Sequence, residues 1–331
     1  MATQAQVISL IRSFSEGDQT RFQSVALQLA ADAARRGNRA LAEEIRQLIQ
    51  EARQGQKSFE AVGQPIPVVR PKGELAGIIS ARFPLTRLDD MVLSSNVASQ
   101  LRRIVDEQRN RQKLLEHGLR PRRKFLLIGP PGTGKTMTAS AIAGELSLPL
   151  FTILLDGVIT KFMGETAAKL RLVFDSMENT RGVYFFDEFD ALASSRLLLN
   201  DVGEARRMLN SMLQFLDDDK SDSLIIAATN HKDLLDRAVF RRFDSSIEYS
   251  TLPKEFVREV FKKALFSFDM GKVDWEVIDR QGEGLSQAEI VRSAENAART
   301  SVLDNDAVIT TEILLDAILD CKSFRIEDIP L

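Results

Sequence analysis

One segment of the sequence combines residue types that bind phosphate groups. Residues 129–136 read Gly-Pro-Pro-Gly-Thr-Gly-Lys-Thr, directly after an apolar run of strand length and before a helical pattern. Glycines let backbone N–H groups approach phosphate oxygens closely, and the following helix directs its positive end toward them. Lys135 would add charge at the outer phosphates, and the hydroxyl of Thr136 would be a ligand for Mg²⁺. The spacing therefore predicts a nucleoside triphosphate site rather than a Gly- and Pro-rich surface turn.

Two carboxylates end a second apolar run. Asp187 and Glu188 directly follow residues 183–186, which read Val-Tyr-Phe-Phe. In such a site an acid at the end of a neighbouring strand holds Mg²⁺, and a second acid can orient or deprotonate the attacking water. We therefore assign Asp187 to the metal and Glu188 to the activation of water. The alternative is a buried strand followed by a solvated acidic turn, which the nearby Asp190 would favour.

Polar residues near two further apolar runs could complete the site. Asn230 follows the run 224–229 and could hydrogen-bond the same water or a phosphate, although a lone Asn at a strand end is usually a turn residue. Arg241 and Arg242 precede the last predicted strand. Arginine stabilises the charge that develops on a transferring phosphoryl group, often from another subunit. Surface ion pairing is the alternative for both arginines.

The elements that must position these residues follow an α/β pattern. Apolar runs of strand length alternate with helical patterns after about residue 84, which predicts a parallel sheet flanked by helices. The runs predicted as strands are 125–128, 150–153, 183–186, 224–228 and 246–249. From Pro253 onward the spacing is helical only, and residues 286–289 read as a capping box that opens a helix toward Leu303. We predict an α/β core over residues 84–252 and a helical lid over residues 253–331.

The amino-terminal part has a different texture. Residues 1–55 contain three amphipathic helical patterns, which we expect to pack as a small all-α bundle. Residues 56–83 are predicted as a flexible linker, because Gly and Pro supply six of the 20 residues from 54 to 73. We interpret the bundle as an adaptor domain that recruits a target or partner and moves independently of the core.

Together these motifs resemble the AAA clade of the AAA+ ATPases, over residues 85–319. Residues 129–136 are similar to its Walker A motif and residues 186–192 to its Walker B motif. Further matches are sensor 1 at 228–230, the arginine-finger region at 235–244 and the start of the lid helix at 284–290. The resemblance implies a P-loop NTPase parallel sheet with a C-terminal α-helical lid, Mg²⁺-dependent hydrolysis of ATP, and a homo-hexameric ring with ATP between subunits.

The resemblance also implies which residues contact the nucleotide. They are Pro131, Gly132, Thr133, Gly134, Lys135, Thr136 and Met137 around the loop, Met91 and Val92 beside the base, and Gly284 at the lid. Asn230 would sense the γ-phosphate, and Arg241 and Arg242 would reach into the neighbouring subunit's site. Many relatives carry Asp-Ile-Gly where residues 90–92 read Asp-Met-Val, so the strictness of the preference for ATP over GTP stays open.

A further resemblance concerns the substrate. Residues 161–166 read Lys-Phe-Met-Gly-Glu-Thr and resemble the clade's pore loop, in which an aromatic residue, an apolar residue and a glycine project into the channel of the ring. An aromatic side chain can grip an extended chain by apolar contact without reading its sequence. Lys161, Phe162, Met163 and Gly164 are therefore assigned to a substrate pore loop. The alternative is that Phe162 and Met163 are core residues that open the following helix.

Composition narrows the choice of partners. The 331 residues contain 44 Lys and Arg against 47 Asp and Glu, a net charge of −3, which weighs against a chain-wide grip on nucleic acid. Residues 102–124 carry nine basic and three acidic residues, which we interpret as a solvated helix face. A single cysteine, Cys321, excludes an internal disulfide framework and indicates a cytoplasmic setting. No run has the length and apolarity of a membrane span.

The leading hypothesis is an ATP-hydrolysing ring motor that remodels, unfolds or threads protein substrates through a central pore. Delivery to a partner protease is implied by the resemblance of its head-plus-motor layout to bacterial paired systems. The 331 residues themselves contain no His-Glu-x-x-His metal motif and no assignable Ser–His–Asp triad. One alternative is a nucleic-acid-associated AAA+ loader or regulator. Another is a switch or scaffold that binds ATP without useful turnover, against which Glu188 and the arginine pair argue.

Overall fold

A computed structural model describes residues 73–158, 165–191, 202–251, 253–304 and 307–327. These belong to one unit of the chain, Val69–Leu331. The three helices predicted within residues 1–55, the first part of the predicted linker and the predicted pore-loop residues 161–164 lie outside the described residues. Within the described ranges, no helix is long and apolar enough to cross a membrane.

A six-stranded sheet forms the centre of the core. Its strands are β1 (Ile79–Arg82), β2 (Lys124–Ile128), β3 (Leu150–Ile153), β4 (Val183–Phe186), β5 (Leu224–Thr229) and β6 (Ser245–Glu248). The order is β1-β3-β4-β5-β2-β6, with β1 antiparallel to β3 and all other neighbours parallel. The five predicted strands lie within one residue of their predicted bounds. The predicted α/β fold with a parallel sheet is confirmed.

Strand β1 corrects one prediction, because it lies within the range assigned to the flexible linker. Its sequence, Ile-Ser-Ala-Arg, contains a single large apolar residue, and only Ile79 is buried. The strand is held instead by its pairing with β3, from Ile79 opposite Ile153 to Arg82 opposite Leu150. An edge strand of this kind is specified by its neighbour and carries little apolar signal of its own. The predicted linker therefore extends too far toward its carboxyl end.

Helices cover both faces of the sheet. They are α1 (Ser95–Arg109), α2 (Arg111–Glu116), α3 (Lys135–Leu146), α4 (Leu155–Val158), α5 (Glu165–Asn179), α6 (Val202–Asp218) and α7 (Arg237–Phe240), with 3₁₀ turns at Gly73–Gly77, Leu88–Asp90 and Lys232–Leu234. Alternate residues of β4 enter different apolar clusters: Tyr184 and Phe186 pack with α5 and α6, whereas Val183 and Phe185 pack with α1 and α3. A strand buried on both faces needs an unbroken apolar sequence, which is why this run was recognisable.

The lid contains more than helices. It is built from α8 (Lys254–Ala264), α9 (Trp275–Gln281), α10 (Gln287–Asp304) and α11 (Thr311–Glu327), together with β7 (Asp269–Lys272) and β8 (Val308–Thr310). The prediction of helical spacing alone after Pro253 is therefore wrong, since β7 and β8 form a parallel pair. Both strands are very short, and β7 reads Asp-Met-Gly-Lys with no buried residue, so neither carries a period-two apolar pattern.

The predicted capping box is confirmed at the start of α10. The backbone N–H of Ser286 donates to the Glu289 carboxylate at 2.6 Å, and the N–H of Glu289 donates back to Ser286 Oγ at 3.3 Å. This reciprocal pair satisfies N–H groups that a helix start leaves without an intrahelical partner. It fixes where the helix begins, and that point lies against the phosphate-binding loop.

Candidate functional site: a nucleotide site between core and lid

The loop predicted to bind phosphate connects β2 to α3 in a conformation that requires glycine. Gly132 and Gly134 have φ values of +74° and +94°, a region that side chains other than glycine rarely adopt. A Cβ on Gly132 would lie 2.6 Å from Ser286 Oγ at the start of the lid helix. In addition, the N–H of Ala288 donates to the Gly132 carbonyl at 3.0 Å. The loop is therefore shaped by its own backbone and held against the lid.

The ammonium group of Lys135 turns back into this loop. It donates to the carbonyl oxygens of Gly129 and Pro130, at 2.6 and 2.8 Å, and to Asn230 Oδ1 at 2.8 Å. The residue is 7% exposed, and burial lowers the pKa of the ammonium, while nearby carboxylates act in the opposite direction. The structure thus brings Lys135 and Asn230 together, although they stand 95 positions apart in the sequence.

Thr136 and Asp187 also meet. The Thr136 hydroxyl donates to Asp187 Oδ2 at 2.9 Å, so that a hydroxyl and a carboxylate oxygen face the same point. Oxygen ligands of this kind suit Mg²⁺, which usually takes one or two protein carboxylates and completes its shell with water and phosphate. No cluster of three or more His, Cys, Asp or Glu side chains that could hold a metal occurs among the described residues. These two oxygens fit a magnesium ion shared with a bound triphosphate.

Glu188 has an unusual backbone. Its φ is +50°, in the left-handed region, and its side chain is exposed. A residue other than glycine held there costs about 1–3 kcal/mol, and such strain concentrates at functional sites. Several hydrogen bonds hold the turn. Among them, the N–H of Glu188 donates to Asp187 Oδ1 at 3.0 Å, that of Phe189 to the carbonyl of Ala228 at 2.8 Å, and that of Asn230 to Asp190 Oδ1 at 3.3 Å. The acidic turn is therefore anchored to the end of β5 and is more than a solvated turn.

The two arginines have different surroundings. Arg242 donates to Asp217 of α6 at 2.9 Å and, more weakly, to the Ala238 carbonyl at 3.4 Å. Arg241 is exposed, and its side chain makes no hydrogen bond or ion pair with the described part of the chain. The ion-pair interpretation therefore applies to Arg242, whereas Arg241 has no ion pair with a described residue.

Met91 lies beside the loop, and Val92, which the sequence also assigned to the side of the base, follows it in the chain. Both are buried, and the Met91 methyl carbon would be 3.4 Å from a Cβ on Gly134. Lys263 of α8 donates to the carbonyl oxygens of Met91 and Asp89, at 2.8 and 2.5 Å. Sequence reasoning missed Lys263, because a lysine in the last turn of an amphipathic helix has nothing to distinguish it from a solvated one.

The remaining predicted contacts lie around the same loop. The Thr133 hydroxyl donates to the Pro130 carbonyl at 2.8 Å, Pro131 is exposed, and Met137 is half-exposed on the first turn of α3. Gly284 is exposed, has a φ of +83°, and lies two residues before Ser286, which caps the lid helix.

Two further side chains at this site were not predicted. The Tyr249 hydroxyl is 2.7 Å from Thr138 Oγ1 behind the loop, and burial raises the pKa of Tyr249 to about 12. Gln287 faces Gly134 from the lid. A tyrosine at a strand end and a glutamine in a first helical turn are common surface residues, so only the packed structure identifies them.

A parallel sheet of this order, a glycine-bent loop with a buried lysine, and a helical lid define a P-loop nucleotide hydrolase. The family described as "ATPase family associated with various cellular activities (AAA)" matches residues 125–251. The uncharacterized AAA family ATPase y4kL of Sinorhizobium fredii is 34% identical over 295 residues, covering 88% of this chain and 87% of that protein. The chain belongs to the AAA family of ATPases, so the predicted resemblance is confirmed, and it hydrolyses ATP with Mg²⁺.

Other relatives are longer proteins. The ATP-dependent zinc metalloprotease FtsH of Sulfurovum sp. is 31% identical over 255 residues, covering 74% of this chain and 38% of that protein. The proteasome-activating nucleotidase of Methanococcus vannielii is 32% identical over 233 residues, covering 68% of this chain and 57% of that protein. The chain thus spans less than two thirds of the length of each of these two relatives.

A solved structure shares the fold. The crystal structure of the FIGL-1 AAA domain has a TM-score of 0.59 to this chain at 23% sequence identity, covering 73% of this chain and 85% of that one. The likeness supports the fold assignment.

Proposed function

We propose that the protein is a ring-forming motor that uses ATP hydrolysis to remodel, unfold or thread protein substrates. The names of two relatives, an ATP-dependent metalloprotease and a proteasome-activating nucleotidase, connect this type of ATPase with protein substrates. The observation that carries the ring is Arg241, an exposed guanidinium without a partner in the described part of its own chain. Arg241 precedes β6, and this segment lies at the amino end of β2, away from the loop that follows the carboxyl end of the same strand. A cation placed there without an acceptor among the described residues is suited to complete the site of a neighbouring copy.

The contacts within the chain support a role for each residue. Lys135 is placed to exchange its loop carbonyls and Asn230 for oxygens of the β- and γ-phosphates, because all its present partners are neutral. Thr136 and Asp187 would hold the magnesium ion, which neutralises charge on the transferring phosphoryl group. Glu188 would accept a proton from the attacking water, and Asn230, once released by Lys135, would orient that water or the γ-phosphate.

The two arginines would have different roles. Arg241 would reach the phosphates bound by the next subunit and stabilise the charge that develops there. Arg242 would act as a positioning residue, because its bond to Asp217 fastens the segment that carries Arg241 to α6. We retain the wider proposal of a hexamer whose pore loop, residues 161–164, grips the substrate.

The amino-terminal bundle predicted for residues 1–55 would bind an adaptor, a target or a partner protease, in the cytoplasm.

Ion pairing weighs against a nucleic-acid function. Of the nine basic residues from 102 to 124, seven already bind groups of their own chain. Arg102, Arg103, Arg109, Arg111, Arg122 and Arg123 pair with carboxylates, and Lys124 donates to the carbonyl of Leu216. Arg102, Arg103 and Arg109 are exposed, as expected for a solvated helix face, but they are paired with carboxylates of the same chain. The cluster therefore offers phosphate backbones few unpaired cations.

A mixing experiment tests the ring. Glu188→Gln should bind ATP but hydrolyse it at least about 100-fold more slowly, because it lacks the general base. Arg241→Ala should also be inactive, because it cannot complete a neighbour's site. Mixing the two inactive variants should restore ATPase activity, since one interface type then contains an intact Glu188 and an intact Arg241. Arg237→Ala, an exposed arginine one helical turn earlier, is the matched control and should remain active.

The outcome is decisive in both directions. Activity that appears only on mixing supports catalysis at a boundary between two copies. If Arg241→Ala hydrolyses ATP at the wild-type rate, or if the mixture stays as inactive as its components although both assemble, Arg241 does not act across subunits and the ring proposal fails.

A further inference from the structure

Gln287, the first residue of α10, carries a buried acceptor that no group in the described part of the chain satisfies. The residue is 8% exposed, and its Oε1 atom is buried without a hydrogen-bond partner among the described residues. Buried amide oxygens are normally paired, because an unpaired one keeps the full cost of leaving water. An orphaned acceptor at a ligand site is therefore evidence for a donor that the ligand brings.

The position of this acceptor identifies the part of the ligand it would meet. Gln287 Oε1 is 3.2 Å from the point where a Cβ on Gly134 would stand, and the Met91 methyl carbon is 3.4 Å from the same point. Lys135, in contrast, directs its ammonium to the opposite end of the loop, at the carbonyls of Gly129 and Pro130. The acceptor thus lies between the phosphate-binding loop and the segment expected beside the base.

The chemistry of the acceptor narrows the ligand group further. Phosphate oxygens of ATP only accept hydrogen bonds at neutral pH, so they cannot satisfy Oε1. The donors that a nucleotide offers on this side of its phosphates are the ribose hydroxyls and, for adenine, the exocyclic amino group. Both are parts of the nucleoside.

We propose that Gln287 accepts a hydrogen bond from the nucleoside part of ATP and thereby lets the lid detect that a nucleoside is bound. The inference rests on the nucleotide site proposed above. Gln287 is flanked by Ser286, which caps α10, and by Ala288, whose N–H already binds the Gly132 carbonyl. The first turn of the lid helix therefore touches the loop at Gly132 without any ligand, and the nucleoside adds a second attachment at Gln287.

Gln287→Leu tests the proposal, because leucine has a similar volume and no polar atom. We expect its Kd for ATP to rise about tenfold, the loss that one unmade hydrogen bond to a buried group produces. Inorganic tripolyphosphate, which has no nucleoside, should bind both proteins equally. Gln281→Leu, at the end of the neighbouring lid helix α9, is the matched control and should bind ATP like the wild type.

Three analogues identify the donor. Binding of 2′-deoxy-ATP, of 3′-deoxy-ATP and of purine riboside triphosphate, which lacks the amino group, is measured on the wild type and on Gln287→Leu. One analogue should bind the wild type more weakly than ATP does. The same analogue should bind Gln287→Leu as tightly as ATP does, since the analogue and the substitution remove the same hydrogen bond. The two deoxy analogues report a sugar donor, and the third reports a base donor.

The thermal stability of the nucleotide-free proteins separates binding from structure. Gln287→Leu should have a Tm equal to or above that of the wild type, because it removes an unsatisfied buried oxygen. A lower Tm together with unchanged Kd for ATP would make Gln287 structural and overturn the proposal, as would equal losses for ATP and tripolyphosphate.

The analogue series on the wild type alone is sufficient if the variant fails to fold. If none of the three analogues binds more weakly than ATP, the proposal is overturned. A wild-type protein that binds no ATP at all would overturn the nucleotide site itself.

Discussion

Replacing Gly132 by alanine would test the contact between the phosphate-binding loop and the lid. Two independent costs arise at this position. The backbone φ of +74° is unfavourable for any residue with a Cβ, and the added Cβ would lie 2.6 Å from Ser286 Oγ and 3.2 Å from the Cβ of Ala288. The substitution must therefore strain the loop and push the start of α10 away from it.

Each cost can be given a magnitude. An L-residue in the left-handed region costs about 1–2 kcal/mol. Overpacking by one methyl group against neighbours that belong to a capped helix costs about 1–3 kcal/mol. Gly132→Ala should then lower the free energy of unfolding by about 2–5 kcal/mol, the sum of the two.

Gly118→Ala supplies a matched control. Gly118 has a φ of +73°, almost the same as Gly132, but a Cβ there would meet nothing within 4 Å. It should lose only the backbone cost, about 1–2 kcal/mol. Urea unfolding of the nucleotide-free proteins measures both values, and the difference between them isolates the contact with the lid.

The two variants should also differ in their affinity for ATP. Gly132→Ala should bind ATP more weakly, because the displaced helix breaks the hydrogen bond from Ala288 to the loop. Gly118→Ala should bind ATP like the wild type. Equal destabilisation by the two substitutions, or wild-type ATP affinity in Gly132→Ala, would show that the loop and lid are not in the contact described.

Two further predictions concern Lys263 and Lys135. Lys263→Met removes the hydrogen bonds to the carbonyls of Met91 and Asp89. Kd for ATP should therefore rise about 3–10-fold, with kcat at saturating ATP nearly unchanged. An unchanged Kd in a titration with fluorescent nucleotide would contradict this prediction. Burial lowers the pKa of Lys135 below 10.5, so its ammonium should lose its proton at a lower pH than an exposed lysine, and ATP affinity should fall as pH rises toward 10.5. A profile of Kd that stays flat over that range would refute the placement of this ammonium at the phosphates.

The sequence predicted those elements whose own residues carry the signal. Strands β2 to β5 were recognisable because they are apolar runs in the interior of the sheet, and α10 because Ser286 and Glu289 form a local capping pair. Strand β1 was missed because its extended conformation depends on pairing with β3 and not on an apolar pattern of its own. Strands β7 and β8 were missed because their few residues are specified by pairing with each other.

The same division applies to the site. The roles of Lys135, Thr136 and Asp187 could be proposed from spacing, since the chemistry of phosphate binding demands those residue types in that order. The contrast between Arg241 and Arg242 could not, because it depends on Asp217, 25 positions away on another helix. Long-range contacts of this kind also set the environment of Gln287.

Val92 carries a mechanical implication. It stands in the chain directly after Met91, yet its side chain belongs to the apolar cluster of the lid, with Val260 and Phe261 of α8. Lys263 ties the carbonyl next to it to the same helix. A tilt of the lid must therefore also move Met91 and Val92. A force applied to the lid would be transmitted directly to the wall of the nucleotide pocket.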